Sequence, residues 1–264
     1  MDFLQLLILA IIQGITEFLP ISSSGHLILP SAVFGWPDQG LAFDLAVHFG
    51  SLIAIITYFN RDIRQILSAW FGSFTGPTSD DSRLGWCIIV ATIPAGVAGF
   101  LLDDWIELNL RSVVVIASTT IIFGVVLGVA DRFAGQRLLV NMPNAVIIGF
   151  AQALALIPGT SRSGITMTAA LMLGYSRDTA ARFSFLLSIP LIFAGALFKT
   201  AELLEQPQVD WFVLIAGAVC SAIAAFACIH LFLKWLNRIG FMPFVIYRLV
   251  LGSVLFALVF FGVV

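Results

Sequence analysis

At 264 residues, 60% hydrophobic and only 11% charged, the chain is too apolar for a water-soluble domain, where about a quarter of residues are charged. Its formal net charge of −2 and the lack of a clustered basic face exclude nucleic-acid binding. The cysteines Cys87, Cys220 and Cys228 sit in apolar runs without metal-ligand or redox spacing and read as small packing residues.

The first apolar stretch, 1–35, lacks a basic leading segment and a small-residue cleavage site, so it reads as mature protein rather than a signal peptide. It is broken at Pro20-Ile21-Ser22-Ser23-Ser24-Gly25, and its second half is too short to span. A bilayer core takes about 20 apolar residues in helix. Runs of that length follow at 41–59, 84–102 and 111–130. A second interrupted stretch, 143–174, is broken at Pro158-Gly159-Thr160-Ser161-Arg162-Ser163-Gly164, and spans at 181–199, 211–233 and 243–263 complete the chain.

Apolar runs of about 10–14 residues suit re-entrant segments better than crossings, so each interrupted stretch is expected to leave by the face it entered. With that topology Arg61, Arg64, Arg83, Arg132, Arg137, Arg177, Arg182, Lys234 and Arg238 fall on one side, against Arg111 and Lys199 on the other. The basic side is then cytoplasmic, and both termini lie outside. The outer loops carry Asp103, Asp104, Glu107, Glu202, Glu205 and Asp210, which weigh little in setting orientation.

A shift of 139 residues superposes Gln13 on Gln152, Ser22 on Ser161, Ser24 on Ser163 and Gly25 on Gly164. Each half, 1–130 and 143–264, reads as one broken hairpin and three spans, and an odd number of crossings inverts the second copy. The expected fold is thus an all-α polytopic membrane protein, a single membrane domain with six transmembrane helices and two re-entrant (broken) helical hairpins arranged as an inverted repeat. In such folds half-helix N-termini, carrying partial positive charge, meet near the midplane and face an anionic substrate.

An ionised side chain at that depth costs about 2.5–3.5 kcal/mol on insertion scales and normally marks a function. Glu17 and Arg162 both qualify, either as site residues or as a structural ion pair with each other. Gln13 and Glu17, four apart, share a helix face and offer hard oxygen ligands for a divalent cation, or a pair of interhelical hydrogen bonds. Ser22, Ser23 and Ser24 with Gly25 and His26 put hydroxyls beside an imidazole, as nucleophilic or acid–base chemistry requires, although serines also cap helices. Gly159, Thr160, Ser161, Ser163 and Gly164 around Arg162 resemble a phosphate-cradling loop, but Ile165 and Thr166 stand where a nucleotide P-loop needs Lys and Ser/Thr. Asp44 and His48 read first as packing or interface residues, with the mouth of the site as the alternative. Arg248 is expected to snorkel or make a helix contact, Asp178 and Arg182 to form an i,i+4 pair, and His230 to be interfacial.

With these residues in view, the chain resembles the bacterial undecaprenyl-diphosphate phosphatase family, also called the bacitracin-resistance protein family, over nearly its whole length. The stretches that carry the resemblance are Gln13-Gly-Ile-Thr-Glu-Phe-Leu-Pro-Ile-Ser-Ser-Ser-Gly-His26 and Pro158-Gly-Thr-Ser-Arg-Ser-Gly164. The resemblance implies hydrolysis of a C55 polyprenyl diphosphate lipid to the monophosphate and phosphate, returning the carrier to cell-wall synthesis. It also implies assistance by Mg²⁺ or Ca²⁺, and a site in the bacterial inner membrane that opens outside the cytoplasm among membrane lipids. Carried over by position, Glu17 is the acidic residue, Ser23 the nucleophile, His26 the acid–base or alternative nucleophilic group, and Arg162 the diphosphate clamp. Ser22, Ser24, Gly25, Gly159, Thr160, Ser161, Ser163 and Gly164 would contact substrate, and Glu17 with Gln13 the metal. Many relatives have Glu at the position of Gln13, which leaves this chain one carboxylate fewer for a metal.

Two other functions compete. Inverted repeats with broken helices also build transporters or flippases for anionic lipids, which need Arg162 but have less use for His26. A type-2 phosphatidic acid phosphatase would need a second histidine downstream of Ser161-Arg162, and only the distant His230 is present. Monomer and homodimer are both compatible with the sequence.

Overall fold

The computed structural model describes residues 2–36, 40–203 and 210–262, without the side chains of Ser24, Ile28, 31–34, Asp103, Asp104, Glu107 and 200–203. Eleven α-helices account for nearly all of the described chain, and the only β-type pairing among these residues is one isolated bridge, Arg137 to Tyr175. Among the described residues six helices are long and apolar enough to cross a bilayer: α3 (Leu41–Tyr58), α5 (Asp80–Leu110), α6 (Val113–Ala130), α9 (Arg177–Leu203), α10 (Trp211–Ile239) and α11 (Met242–Phe260). They match the six spans expected from sequence, and the chain is a multi-pass membrane protein. Helices α5, α9 and α10 overrun the expected limits because their backbone hydrogen bonds continue past the point where the side chains become charged.

Each interrupted stretch forms two short helices, α1 (Phe3–Phe18) with α2 (Ser23–Phe34) and α7 (Met142–Ala153) with α8 (Arg162–Met172). The breaks share a physical cause. A residue before proline is pushed out of the helical region, and Leu19 before Pro20 (ψ 146°) and Ile157 before Pro158 (ψ 118°) are both extended. The chain then restarts on a serine cap: the Ser22 hydroxyl accepts from the Gly25 N–H and the Ser161 hydroxyl from the Gly164 N–H. Ser22 (φ 72°) and Ser161 (φ 70°) are the only non-glycine residues with positive φ among those described, and they occupy matched positions of the 139-residue shift.

Helices pack through small residues, as they must where lipid offers no hydrophobic drive for association. Gly14 of α1 rests on the Ser221 carbonyl of α10, Gly50 of α3 on the Ala218 carbonyl of α10, and Gly149 of α7 on the Ala91 carbonyl of α5. The first broken pair therefore leans on a helix from the second half of the chain, and the second broken pair on a helix from the first half. Helices α6 and α11 pack on each other, as do α3 and α9. Outward faces carry large apolar side chains, including Phe100, Ile122, Ile223 and Val250, suited to lipid.

Helix α4 (Asn60–Gly72) was not anticipated. Its Arg61, Asp62, Arg64 and Gln65 interleave with Ile63, Ile66, Leu67, Trp70 and Phe71, the pattern of a helix lying at a polar–apolar boundary. One expected contact is corrected, that of Arg182. Arg182 pairs with Asp62 of α4 at 2.7 Å rather than with Asp178. His230 meets the Tyr58 hydroxyl at 3.4 Å. Of the two readings of Arg248 the helix contact holds: it is 0% exposed and donates to the carbonyls of Thr119 and Thr120 of α6 and of Pro20, Gly159 and Thr160, at 2.9–3.4 Å. That position exists because the two breaks leave carbonyls with no helical N–H to accept from.

Candidate active site

The two breaks meet. Glu17, in the last turn of α1, has a side chain only 7% exposed, and Arg162, the first residue of α8, donates from Nη2 to its Oε1 at 2.7 Å. The other carboxylate oxygen, Oε2, accepts from Gln13 Nε2 at 2.8 Å and from Ser23 Oγ at 3.3 Å. His48 Nε2, from α3, lies 3.8 Å from the same oxygen. One carboxylate thus collects groups from α1, α2, α3 and α8. The ion pair anticipated as a structural alternative does form, but it has spare capacity: Arg162 Nη1 is buried with no hydrogen-bond partner among the described residues. An unpaired buried guanidinium N–H is costly, and an anion is the partner its chemistry calls for.

The backbone around this pair is tied from several sides. Ser163 Oγ donates to the Leu19 carbonyl at 2.9 Å and lies 3.2 Å from Ser161 Oγ, joining the second break to the first. Thr119 and Thr120 of α6 donate to the carbonyls of Pro158 and Gly159 at 2.6 and 3.3 Å. Gly159 has φ 89°, and a Cβ there would collide with the Thr119 hydroxyl and the Ile116 carbonyl, so the position needs glycine twice over. A Cβ on Gly164 would stand 2.9 Å from Arg248 Nη1, whereas one on Gly25 would meet only ordinary contacts. Thr160 Oγ1 is buried and unpartnered among the described residues.

His26, in the first turn of α2, is held at both ring nitrogens. Nδ1 lies 2.7 Å from the Ser22 carbonyl and Nε2 2.6 Å from the Tyr247 hydroxyl of α11. The group in contact with the Ser23 hydroxyl is Glu17, not His26. The side chain of Ser24 lies outside the described residues.

The resemblance implies a divalent ion, for which the site offers oxygen donors on α1. Gln13 Oε1 is buried without a partner among the described residues, one turn from Glu17, while the nitrogen of the same amide faces the carboxylate, so turning the amide over would put two hard oxygen donors together. No group of three or more His, Cys, Asp or Glu side chains gathers among the described residues. These donors fit an ion that takes most of its ligands from phosphate oxygens and water, as Mg²⁺ commonly does.

The sequence singled out Glu17, Gln13, Ser22, Ser23, His26, Gly159, Ser161, Arg162, Ser163 and Gly164, and the two breaks that carry them come together. It did not place Tyr247 or Arg248 at the site, and His48, read first as a packing or interface residue with the mouth of the site as the alternative, lies beside Glu17. The available signal was cost: a histidine or arginine inside an apolar run needs a partner, and the two breaks were the nearest polar partners.

The model of the bacitracin resistance protein BacA family matches residues 6–254, nearly the whole chain. The chain belongs to the BacA family. An undecaprenyl-diphosphatase of Hahella chejuensis is 62% identical over 257 residues, covering 96% of this chain and 97% of the relative. Proteins with the same name from Saccharophagus degradans and Chromohalobacter salexigens are each 58% identical, covering 99% and 97% of this chain and 100% and 98% of their own lengths.

Proposed function

We propose that the chain is an integral-membrane phosphatase that hydrolyses undecaprenyl diphosphate to undecaprenyl phosphate and phosphate. Membership of a family whose close relatives are named undecaprenyl-diphosphatases supports the reaction and the substrate. The observation that carries the site is the meeting of Glu17, Ser23 and Arg162 across two chain breaks, with one buried guanidinium N–H left to bind an anion.

In this reading the diphosphate enters between the breaks and takes the free side of Arg162, with the starts of α2 and α8 adding favourable partial charge. Ser23 Oγ attacks the terminal phosphorus and its proton passes to Glu17. The bridging P–O bond breaks and undecaprenyl phosphate departs, taking the proton held on Glu17; the freed carboxylate then takes a proton from the water that attacks the serine phosphate and returns it to Ser23 Oγ as inorganic phosphate leaves. Little covalent chemistry is asked of the protein, since phosphoryl transfer rests on positioning and charge neutralisation. Mg²⁺ or Ca²⁺, held by Glu17 and the Gln13 amide oxygen, would neutralise further charge on the diphosphate.

The two halves are read as an inverted repeat of one broken hairpin and three spans. The reciprocal packing of α1 on α10 and α7 on α5, and the twin serines at positive φ, support that assignment. Charge distribution supports an inner-membrane protein whose breaks enter from outside the cytoplasm. Moving an anionic lipid without cleaving it has no support in the relatives' names.

The test is phosphate release by the purified chain in detergent. Undecaprenyl diphosphate should yield phosphate and undecaprenyl phosphate, and Ser23→Ala should lower turnover at least about 100-fold. Near-normal turnover by Ser23→Ala would replace serine attack with direct attack by water or His26, and no release by the wild type would overturn the assignment.

A further inference from the structure

We infer that Tyr247 is a positioning residue of this site, its hydroxyl holding the His26 imidazole in one tautomer and one orientation beside the first break. The catalytic part of this inference rests on the phosphatase reading, while the geometry beneath it does not.

The tautomer follows from the partners. His26 Nδ1 is 2.7 Å from the Ser22 carbonyl oxygen, which can only accept, so Nδ1 carries a hydrogen. In the neutral ring Nε2 is then the acceptor, and the group 2.6 Å from it is the Tyr247 hydroxyl, which donates. The two rings are nearly parallel, 5° apart with centroids at 5.5 Å, so the plane of the imidazole is fixed as well as its hydrogen.

The anchor cannot drift along its helix, because the next residue is pinned. Arg248 has its guanidinium buried among five carbonyls drawn from α6 and from both breaks. Those bonds set the rotation and height of α11 against the site, and one residue earlier, about 100° round the helix, Tyr247 emerges at His26. A half-exposed tyrosine in a membrane helix is ordinarily an interfacial anchor with its hydroxyl in water. This one spends its hydroxyl on an imidazole.

The arrangement also divides labour. Ser23 donates to Glu17 at 3.3 Å, so the imidazole is not needed to receive that proton. Both ring nitrogens are taken, so the ring offers no N–H to phosphate; it ties Tyr247 to the Ser22 carbonyl and so holds the turn that carries Ser23, and loosening it should slow turnover without changing how tightly the lipid binds.

The experiment compares wild type, Tyr247→Phe, His26→Ala and the double variant, each purified in detergent and assayed for phosphate release from undecaprenyl diphosphate. Tyr247→Phe keeps the ring and removes the hydroxyl. We expect kcat to fall about 10-fold or more with KM within about twofold. In the His26→Ala background the same change should have no further effect, because Tyr247 acts only through His26. Wild-type kcat in Tyr247→Phe, or losses that multiply in the double variant, would overturn the inference. The second measurement is ¹⁵N NMR of the wild-type imidazoles, with the His26 signal assigned by its loss in His26→Ala. The Nδ1–H tautomer is expected, and a neutral Nε2–H ring would overturn the inference without any assay. A wild type that releases no phosphate defeats the phosphatase reading, while the NMR result still decides the His26–Tyr247 contact.

Discussion

Arg162 faces two ways, one nitrogen on Glu17 and another buried without a partner among the described residues. Planar bidentate geometry lets it hold the carboxylate and a phosphate oxygen together, which the point charge of lysine does poorly. Arg162→Ala is expected to lower kcat/KM about 1,000-fold, and Arg162→Lys to recover only a small part of it, measured by phosphate release. Gln13 supplies a second prediction. A chelator should abolish wild-type activity and added Mg²⁺ restore it, and Gln13→Glu should lower the Mg²⁺ concentration needed for half-maximal rate by adding a carboxylate ligand. Unchanged Mg²⁺ dependence would remove Gln13 from the metal's surroundings. At this scale the sequence was informative where residues fell next to a break, because polar groups there are costly and clustered. His48 and Tyr247 lie within otherwise regular helices, and their partners are distant in the chain. The contact of Tyr247 with His26 spans 221 residues, a pairing that spacing rules cannot reach.

Helices were legible through hydropathy and the breaks through proline, serine and glycine. Helix α4 was not, because a count of consecutive apolar residues misses a helix with one polar face. Helix α11 was located as a span, and of the two readings of its interior arginine the helix contact holds, with partners at both breaks that the sequence did not name. Snorkelling fits an arginine near a membrane interface, whereas Arg248 answers carbonyls freed by both chain breaks. Arg248→Met should fill much of the volume and leave those carbonyls without a donor. A loss of at least about 3 kcal/mol is expected, read as a thermal midpoint lower by roughly 6–12 °C in detergent. At the opposing helix contact, Gly50→Leu should drive α3 from α10, since even a Cβ would collide with the Ala218 carbonyl.

For the molecule as a whole, the excess of basic residues on one set of loops orients the chain with those loops inside. In a chain with Cys87, Cys220 and Cys228 replaced, a single cysteine at Asn109 should react with an impermeant thiol reagent added outside intact cells. One at Leu138, which is 70% exposed, should react only after the membrane is opened. The reverse pattern would turn the protein over and put the breaks on the cytoplasmic side. The 139-residue match was visible in sequence because its residues are polar, whereas the packing of α1 on α10 and of α7 on α5 was not, since any apolar face can pair with any other. That packing has a consequence for synthesis. Helix α1 finishes its contacts only when α10 exists, about 200 residues later, or about 10–40 s at ordinary translation rates. The nascent first half must wait in the membrane with Glu17 lacking Arg162, so a fragment ending near residue 134 should be degraded when made alone and rescued when residues 135–264 are made beside it.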